Sequence, residues 1–565
     1  MILGINDGHN SSISLFNDGK TKNNRIEYAI SEERITRIKN IRGFPKNSIN
    51  AILNYYETEI TDKKNNFDLI TVGGKFRKNN RLNKLKEFSD NQNAPLLYFD
   101  HHLCHTSLYK LNYDFKKGKE YMVITLDGAG DGLSSTVSIA KNNKIDTIAQ
   151  SDNINSIGDI YASFTELLGF KPMEDEGKVM GLAGYQMDSE HNETYEKILS
   201  NVENKIIGYN TKTKTFKNYL GVIGNQSTKE LEKLFKLQGI CNFKNMDLNN
   251  KVIISKIIQR KLEETVKLMV ENFVKETGIS DIVLSGGVAQ NVKLNMEISD
   301  MDCVNSVYVP PFPSDEGLSI GSCILASSIH NKSDIGLQNT YLGNDIENSK
   351  IDNNNIYENN INNINNNNNI SINNLSKFKI TNLEENEIPD VIANLLMNNK
   401  IICVCRGRME FGPRALGNRS IIALPTRENA QKINRLLNRY EHMPYAPTIL
   451  WEYASEYVKN PFYSPHMAFL FKTKDNYDNK SNINGVIHQD GTTRPQMLKK
   501  EYNTTYYEII RSLGDNFSSN SQSCYSVLNT SFNLHGEPIV CSLDDAVHSF
   551  VGDALLLGNL LIEKL

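Results

Sequence analysis

The apolar runs of this chain are short, and several of them end on Asp-Gly or Gly-Gly. Met1 to Phe16 predicts a strand, a turn at Asn6-Asp7-Gly8-His9 and a second strand. Met122 to Ala140 repeats the plan: VITLDG, a turn at Ala129-Gly130-Asp131-Gly132, then SSTVSIA. Turn residues between two β-branched runs are hairpin grammar. DIVLSGGVAQN, from Asp281 to Asn291, predicts a buried strand broken at Gly286-Gly287 ahead of a helix. LLYFDHHLCHTSLYKL predicts a short strand, Asp100 as an N-cap, and a helix.

One stretch has no such pattern. Asn344 to Lys377 is dominated by asparagine, which cannot bury enough apolar surface to offset the entropy of ordering it. It reads as a linker or surface excursion. The chain has 565 residues, too many for a single core. The expected division is a domain over 1–343, the tract over 344–378, and a second domain over 379–565.

Charge and composition narrow the function. With 62 Lys+Arg against 66 Asp+Glu there is no basic excess to draw a polyanion such as nucleic acid. The eight cysteines include no CxxC pair, and Cys403 and Cys405 fall in an apolar run, so reduced, buried thiols are expected. The amino terminus lacks a signal-peptide pattern, and no window reaches the roughly 20 apolar residues of a membrane span. The expectation is a cytoplasmic enzyme acting on small molecules.

Two segments carry candidate chemistry. On the predicted helix, His101 and His105 are one turn apart, so both imidazoles leave one face and can share a metal. HxxxH alone is more often structural than metal-binding, and without a Glu in the zincin position a zinc protease is disfavoured. Asp127 ends a strand where a carboxylate can enter a cleft; Asp315, before a glycine and a helix start, reads equally as an N-cap. Two imidazoles and two carboxylates suit iron, manganese or zinc. His9, in the first hairpin turn, is a candidate base or an idle turn histidine. The second segment, IICVCRGRMEFGPRALGNRS (401–420), interleaves Arg406, Arg408, Arg414 and Arg419 with glycines and apolar residues. Guanidinium forks in such a setting suit phosphate or carboxylate. GVIHQDGTTRPQ and VLNTSFNLHGEPIV add further donors for a polyanion pocket.

Two Asp-Gly hairpins followed by a strand and a Gly-Gly turn resemble the layout of the actin, sugar-kinase and Hsp70 ATPase lobes. Beyond that, SEERITRIKN, DHHLCH, LDGAGD, SIGDIYASFTELLGF, EGKVMGLAGY, LSGGVAQN, EFGPRALGNRS, DGTTRPQ and NTSFNLHGEPIV resemble the NodU/CmcH-type O-carbamoyltransferases, almost end to end. The resemblance implies an α/β, actin-like (ASKHA) duplicated N-terminal domain similar to tRNA threonylcarbamoyl transferase, plus a C-terminal α+β YrdC-like domain. It implies that carbamoyl phosphate and ATP, with Mg²⁺, give carbamoyl-adenylate in the second domain. The carbamoyl group then passes to a hydroxyl of a small acceptor, a sugar or glycan precursor, in the first.

By motif, His101, His105, Asp127 and Asp315 match ligands of an iron-like metal, taken as Fe²⁺, with His9 beside the acceptor. Asp7, Gly128, Gly130, Lys178, Gly286, Gly287 and Asn291 match nucleotide-binding positions of the transfer domain. Arg414, Arg494 and Ser531 match catalytic positions of the activating domain. Arg408, Arg419, Arg439, His488, Asp490, Asn529 and Asn533 complete its carbamoyl phosphate and ATP set. The chain departs from the family at INRLLNRYEHMPYAP, where Asn438 replaces a Lys and no arginine precedes Pro444, leaving Arg435 or Arg439 as substitutes. A homodimer is compatible with the resemblance. Two other readings stay open: a tRNA threonylcarbamoyl-type transferase, disfavoured by the charge balance and the fused activating domain, and a non-catalytic actin-like nucleotide-binding module.

Overall fold

In the computed structural model the chain forms two compact units, residues 1–32 with 40–338 and residues 33–39 with 339–565. The described residues are 1–17, 26–59, 67–76, 78–329, 337–346, 378–439, 444–474, 483–516 and 524–565. Nearly all of the asparagine-rich tract lies outside them.

Strands of the first unit are β1 (Ile2–Asn6), β2 (Ser12–Phe16), β3 (Ile26–Ser31), β4 (Leu69–Gly73), β5 (Leu96–Phe99), β6 (Tyr121–Gly130), β7 (Leu133–Lys141) and β8 (Lys144–Asp152). They continue with β9 (Ile207–Asn210), β10 (Thr215–Asn218), β11 (Asp281–Ser285) and β12 (Ser306–Tyr308). One sheet has the order β3-β2-β1-β4-β5 and another the order β12-β11-β6-β7-β8; β9 and β10 pair separately. In each five-stranded sheet an antiparallel meander of three strands is extended by two parallel ones. The internal echo in the sequence is thus a duplication of the whole actin-like sheet plan. β11 is the counterpart of β4. The second hairpin is tighter than the sequence predicts: Gly130 still pairs with Leu133, and only Asp131 (φ 50°) and Gly132 (φ 89°) turn. Positive φ at both central residues matches the twist of the flanking strands.

Helix Leu318–Ile329, almost wholly buried, fixes the geometry of the first sheet. A Cβ at Gly4 would stand 2.1 Å from the Ser319 carbonyl oxygen, and one at Gly321 would stand 2.3 Å from that of Cys104. These glycines let the helix sit directly on β1 and on helix His101–Ser107. Ser12 Oγ donates to Glu316 O (2.8 Å) and Ser107 Oγ to Gly321 O (3.0 Å), satisfying buried carbonyls at both contacts.

The second unit contains β13 (Tyr341–Asp345), β14 (Phe378–Asn382), β15 (Ile402–Cys405), β16 (Arg408–Glu410), β17 (Arg419–Ala423) and β18 (Ala446–Leu450). It is completed by β19 (Phe471–Lys472), β20 (Thr492–Thr493), β21 (Gln496–Leu498), β22 (Ser526–Ser531), β23 (Ala554–Leu557) and β24 (Leu560–Lys564). Eight of these form a mixed sheet, β14-β24-β23-β15-β17-β22-β18-β21. Helices Ile388–Met397 and Thr504–Asn516 supply Ile392, Leu396, Ile510 and Leu513 to a core shared with Val404 and Leu556. The unit is α+β. It begins at Asn339 rather than after 343, because β13 pairs with β16, Tyr341 opposite Glu410. Residues 33–39 also join it, which the sequence does not suggest.

All eight cysteines are free, and burial pushes the Cys403 and Cys405 thiols up to about 11. Among the described residues no helix is long and apolar enough to cross a membrane.

Candidate metal centre and anion site

Asp100 caps helix His101–Ser107 by accepting the Leu103 N–H at 3.1 Å, which fixes where the helix starts and so which face carries His101 and His105. Asp127 Oδ2 lies 3.2 Å from His101 Nε2 and 3.1 Å from His105 Nε2; Asp315 Oδ1 lies 3.7 and 3.6 Å from the same nitrogens. One atom from each of the four residues falls within a 4.8 Å span. Asp315 is not an N-cap: it opens the short turn Asp315–Gly317, for which Ser314 is the flanking residue, and its carboxylate faces the histidines.

The surroundings hold these groups in place, and most of them are invisible to a motif search. The Asp131 carboxylate accepts the N–H groups of Lys75 (2.8 Å), Phe76 (2.8 Å) and His101 (2.9 Å), tying the loop after β4 to the histidine helix. Asn6 is buried, and its amide donates to the carbonyls of His9 (2.7 Å), Asn10 (3.1 Å) and Asp315 (2.9 Å). His9 and Asp315 therefore share one anchor. His102 faces away from the pair, its Nδ1 2.7 Å from Thr125 Oγ1, and burial together with His101 and His105 pushes its pKa down to about 3.

Gly130, expected at a nucleotide phosphate, has a different use here: a Cβ there would lie 2.1 Å from Cδ2 of the His101 ring. Gly130→Ala is expected to displace that ring, costing about 1–3 kcal/mol of stability as overpacking does. Differential scanning calorimetry and metal titration of the variant would check both consequences.

Protonation follows from the same geometry. Burial by itself lowers the His105 pKa, but hydrogen bonds to Asp127 and Asp315, and their charges, outweigh it and raise the pKa to about 9. Burial would raise Asp127, yet the two histidines hold its carboxyl well below the usual range. His9 is pushed down, first by burial and then by Arg42, against the opposing charges of Asp315 and Asp127. A neutral imidazole at His9 suits a proton acceptor. His105 must lose its proton to ligate a metal, so binding to the metal-free protein is expected to release one. Affinity should then rise about tenfold per pH unit until pH reaches the His105 value and level off above it. Calorimetry in buffers of different ionisation enthalpy measures that proton directly.

The other nucleotide-set residues of the first unit have internal partners. Asp7 is held by two hydrogen bonds from Arg81, both at 3.0 Å. Lys178 pairs with Asp175 at 2.9 Å. Asn291 caps helix Val292–Ser299 and exchanges hydrogen bonds with Gln259. Gly286 sits at φ 90° with no room for a Cβ against Leu126 O (2.2 Å), while a Cβ at Gly287 would stand 3.3 Å from Asp127 Oδ1. At Gly128 a Cβ would meet nothing within 4 Å.

In the second unit the arginines separate into two groups. Arg419 is the largest fully buried side chain, with its terminal nitrogens on the carbonyls of Arg406, Gly407, Asn418 and Asn344. Arg408 donates to Leu342 O and Gly343 O. Expected as ligand contacts, both instead pin β13, because a buried guanidinium must find acceptors. Asn529 is likewise buried, donating to Ala415 O (3.3 Å) and Thr448 Oγ1 (3.1 Å). Asn533 donates to Leu534 O and Glu537 O within its own loop. Asp490 Oδ1 accepts from Thr492 N and Oγ1, and His488 Nδ1 lies 3.1 Å from Thr492 Oγ1, so both build one turn.

Arg414, Arg439 and Arg494 form the other group. Burial, then the charges of Arg414 and Arg439, depress the Arg494 pKa well below its usual value. Arg439 stacks on Tyr445, 4.5 Å from the ring centroid, and donates to Thr530 Oγ1 (3.2 Å), one residue before Ser531 on β22. Arg435 lies on the exposed side of helix Arg427–Leu436. Asn438, at φ 48°, is the left-handed residue that ends this helix: Arg439 N–H reaches Asn434 O (3.0 Å) and Asn438 N–H reaches Arg435 O (3.4 Å). That is a Schellman closure, a place for Gly or Asn and not for Lys. The left-handed residue at 438 thus leads the chain so that Arg439 reaches Tyr445 and Thr530.

Comparison with known proteins agrees with this division. The chain matches the Carbamoyltransferase N-terminus family over residues 55–324 and the Carbamoyltransferase C-terminus family over residues 393–564. It is 48% identical to an uncharacterized protein of Methanocaldococcus jannaschii, covering 100% of both chains. It is 28% identical to Nodulation protein NolNO of Sinorhizobium fredii, covering 100% of this chain and 82% of that one. Among solved structures, T. kodakarensis HypF covers 58% of this chain and 48% of that one at 14% identity and TM-score 0.34, too distant to add to the topology above. The chain belongs to the carbamoyltransferase family and is a carbamoyltransferase enzyme.

Proposed function

We propose that this chain is an ATP-dependent O-carbamoyltransferase with its two half-reactions in different units. The observation that carries this reading is the pairing of two unlike sites: a four-ligand cluster in the first unit and, in the second, a buried Arg494 beside the charges of Arg414 and Arg439. In the second unit carbamoyl phosphate gives carbamate and phosphate by reaction with water. The carbamate oxygen then attacks the α-phosphorus of ATP, expelling pyrophosphate and leaving carbamoyl-adenylate. Arg414, Arg439 and Arg494 would hold phosphate oxygens and neutralise the charge that develops on them. Tyr445 and Thr530 keep Arg439 in place for this.

In the first unit an acceptor hydroxyl attacks the carbamoyl carbon, AMP leaves, and the hydroxyl proton goes to a base. His9, held neutral and anchored through Asn6, is suited to take that proton. His101, His105, Asp127 and Asp315 fit a divalent transition metal, iron foremost, by their two nitrogen and two oxygen donors converging on one point. When bound, such an ion supplies Lewis-acid stabilisation of phosphate and carbonyl oxygens. The acceptor would be a hydroxylated small molecule such as a sugar or glycan precursor. Incubating the metal-loaded chain with ATP, Mg²⁺ and carbamoyl phosphate tests the activation step: pyrophosphate release that requires carbamoyl phosphate is expected, and its absence would refute the reading.

A further inference from the structure

The motif SEERITRIKN has no place in either half-reaction described above, yet its central residues 33–39 belong to the second unit. Arg34 is 5% exposed and donates from Nη2 to Gly412 O at 2.8 Å. Arg37 donates to Ile539 O and Pro538 O, both at 2.7 Å, and forms ion pairs with Glu537 (3.5 Å) and Asp545 (3.3 Å).

We infer that Arg34 and Arg37 are positioning residues for the anion site of the second unit, an inference resting on the function proposed above. Gly412 lies two residues before Arg414, in a loop tied at nearly every peptide. Glu410 Oε1 accepts the N–H groups of Leu416, Asn418 and Arg419; Asn529 holds Ala415 O; Gln496 and Tyr341 hold Leu416 O. Arg34 supplies the tie on the amino-terminal side of Arg414, where none of these reaches. Arg37 does the same for the loop after β22. Val540 N–H bonds Phe532 O, and Asn533 bonds Glu537 O, so fixing 537–539 fixes the stretch following Thr530 and Ser531.

One detail goes beyond packing. Arg37 adopts φ 60°, a left-handed conformation that non-glycine residues keep where the surroundings enforce it, often at working sites.

The test uses the full chain with Arg34→Ala, Arg37→Ala and, against misfolding, Arg34→Lys and Arg37→Lys. Three quantities are read: pyrophosphate binding by calorimetry, the KM for carbamoyl phosphate in pyrophosphate release, and metal content. Each alanine variant is expected to weaken pyrophosphate binding and raise that KM about tenfold, the cost of losing a charged hydrogen bond. Metal content should be unchanged, lysine should restore much of the loss at position 34, and added guanidinium ion should partly rescue Arg37→Ala. Pyrophosphate affinity and KM equal to wild type in both alanine variants would overturn the inference while leaving the proposed function standing. If wild type releases no pyrophosphate but binds it in an Arg34- and Arg37-dependent way, the proposed function falls and the inference holds.

Discussion

Arg494→Ala is expected to reduce carbamoyl phosphate-dependent pyrophosphate release roughly 10²–10³-fold, the usual cost of removing one preorganised charge-stabilising donor. The same change should leave the ligand-free protein as stable as wild type or more so. Arg494 is depressed first by burial and then by Arg414 and Arg439, so without an anion its burial and these like charges work against stability. Only an anion converts that repulsion into attraction. Inorganic phosphate or pyrophosphate should therefore raise the wild-type melting temperature and have much less effect on the variant. Arg494→Lys should not restore activity, because a point charge cannot reproduce a planar fork on phosphate oxygens. Metal content, set in the other unit, should not move. A variant that kept wild-type turnover, or lost stability without ligand, would remove Arg494 from the anion site.

The sequence reaches further into the first unit than into the second, for a physical reason. His101 and His105 are related by helical periodicity, and Asp127 by the end of a strand, so local rules nearly determine where those side chains go. The four residues named from motif are the four whose ligand atoms fall within 4.8 Å. No local rule separates Arg414 from Arg408 and Arg419. All three lie in one glycine-rich run, yet Arg408 and Arg419 bond carbonyls of β13 while Arg414 lies beside Arg494. Asn438 shows the limit from the other side. Read against a family pattern it is a lost lysine; in the fold it is the residue that lets a helix end and delivers Arg439. Anchors such as Asn6, Asp131 and Arg81 bond to partners far away in sequence and leave no spacing to detect. The duplicated sheet was legible because each half repeats the same hairpin grammar. The transfer of 33–39 to the second unit was not, since its reason lies in carbonyls at 412 and 538–539.

His105→Ala separates the two half-reactions in the opposite sense. His105 is wholly buried, and its Nε2 lies 3.1 Å from Asp127 and 3.6 Å from Asp315. Truncation leaves two carboxylates facing a single imidazole. Breaking a buried pair in this way costs roughly 3–5 kcal/mol, so the metal-free variant should melt well below wild type. Because the His105 pKa is raised to about 9, its contribution to the metal-free protein is complete below the ordinary histidine value of 6.5 and is lost as pH rises through about 9. The melting-temperature gap between wild type and variant should therefore be wide near neutrality and close in alkali. Bound metal should fall from one per chain to none, and carbamoyl transfer should fall with it, while pyrophosphate release continues. His102→Ala is the control. It is also a buried histidine of the same helix, but its Nδ1 bonds Thr125, so its loss should lower stability and leave metal content intact. Equal metal loss in both variants would mean that the helix, not the ligand, had been damaged. Retention of metal in His105→Ala would dissolve the proposed centre, because Asp127, Asp315 and His101 would then have to complete it without the one ligand that is entirely withdrawn from solvent.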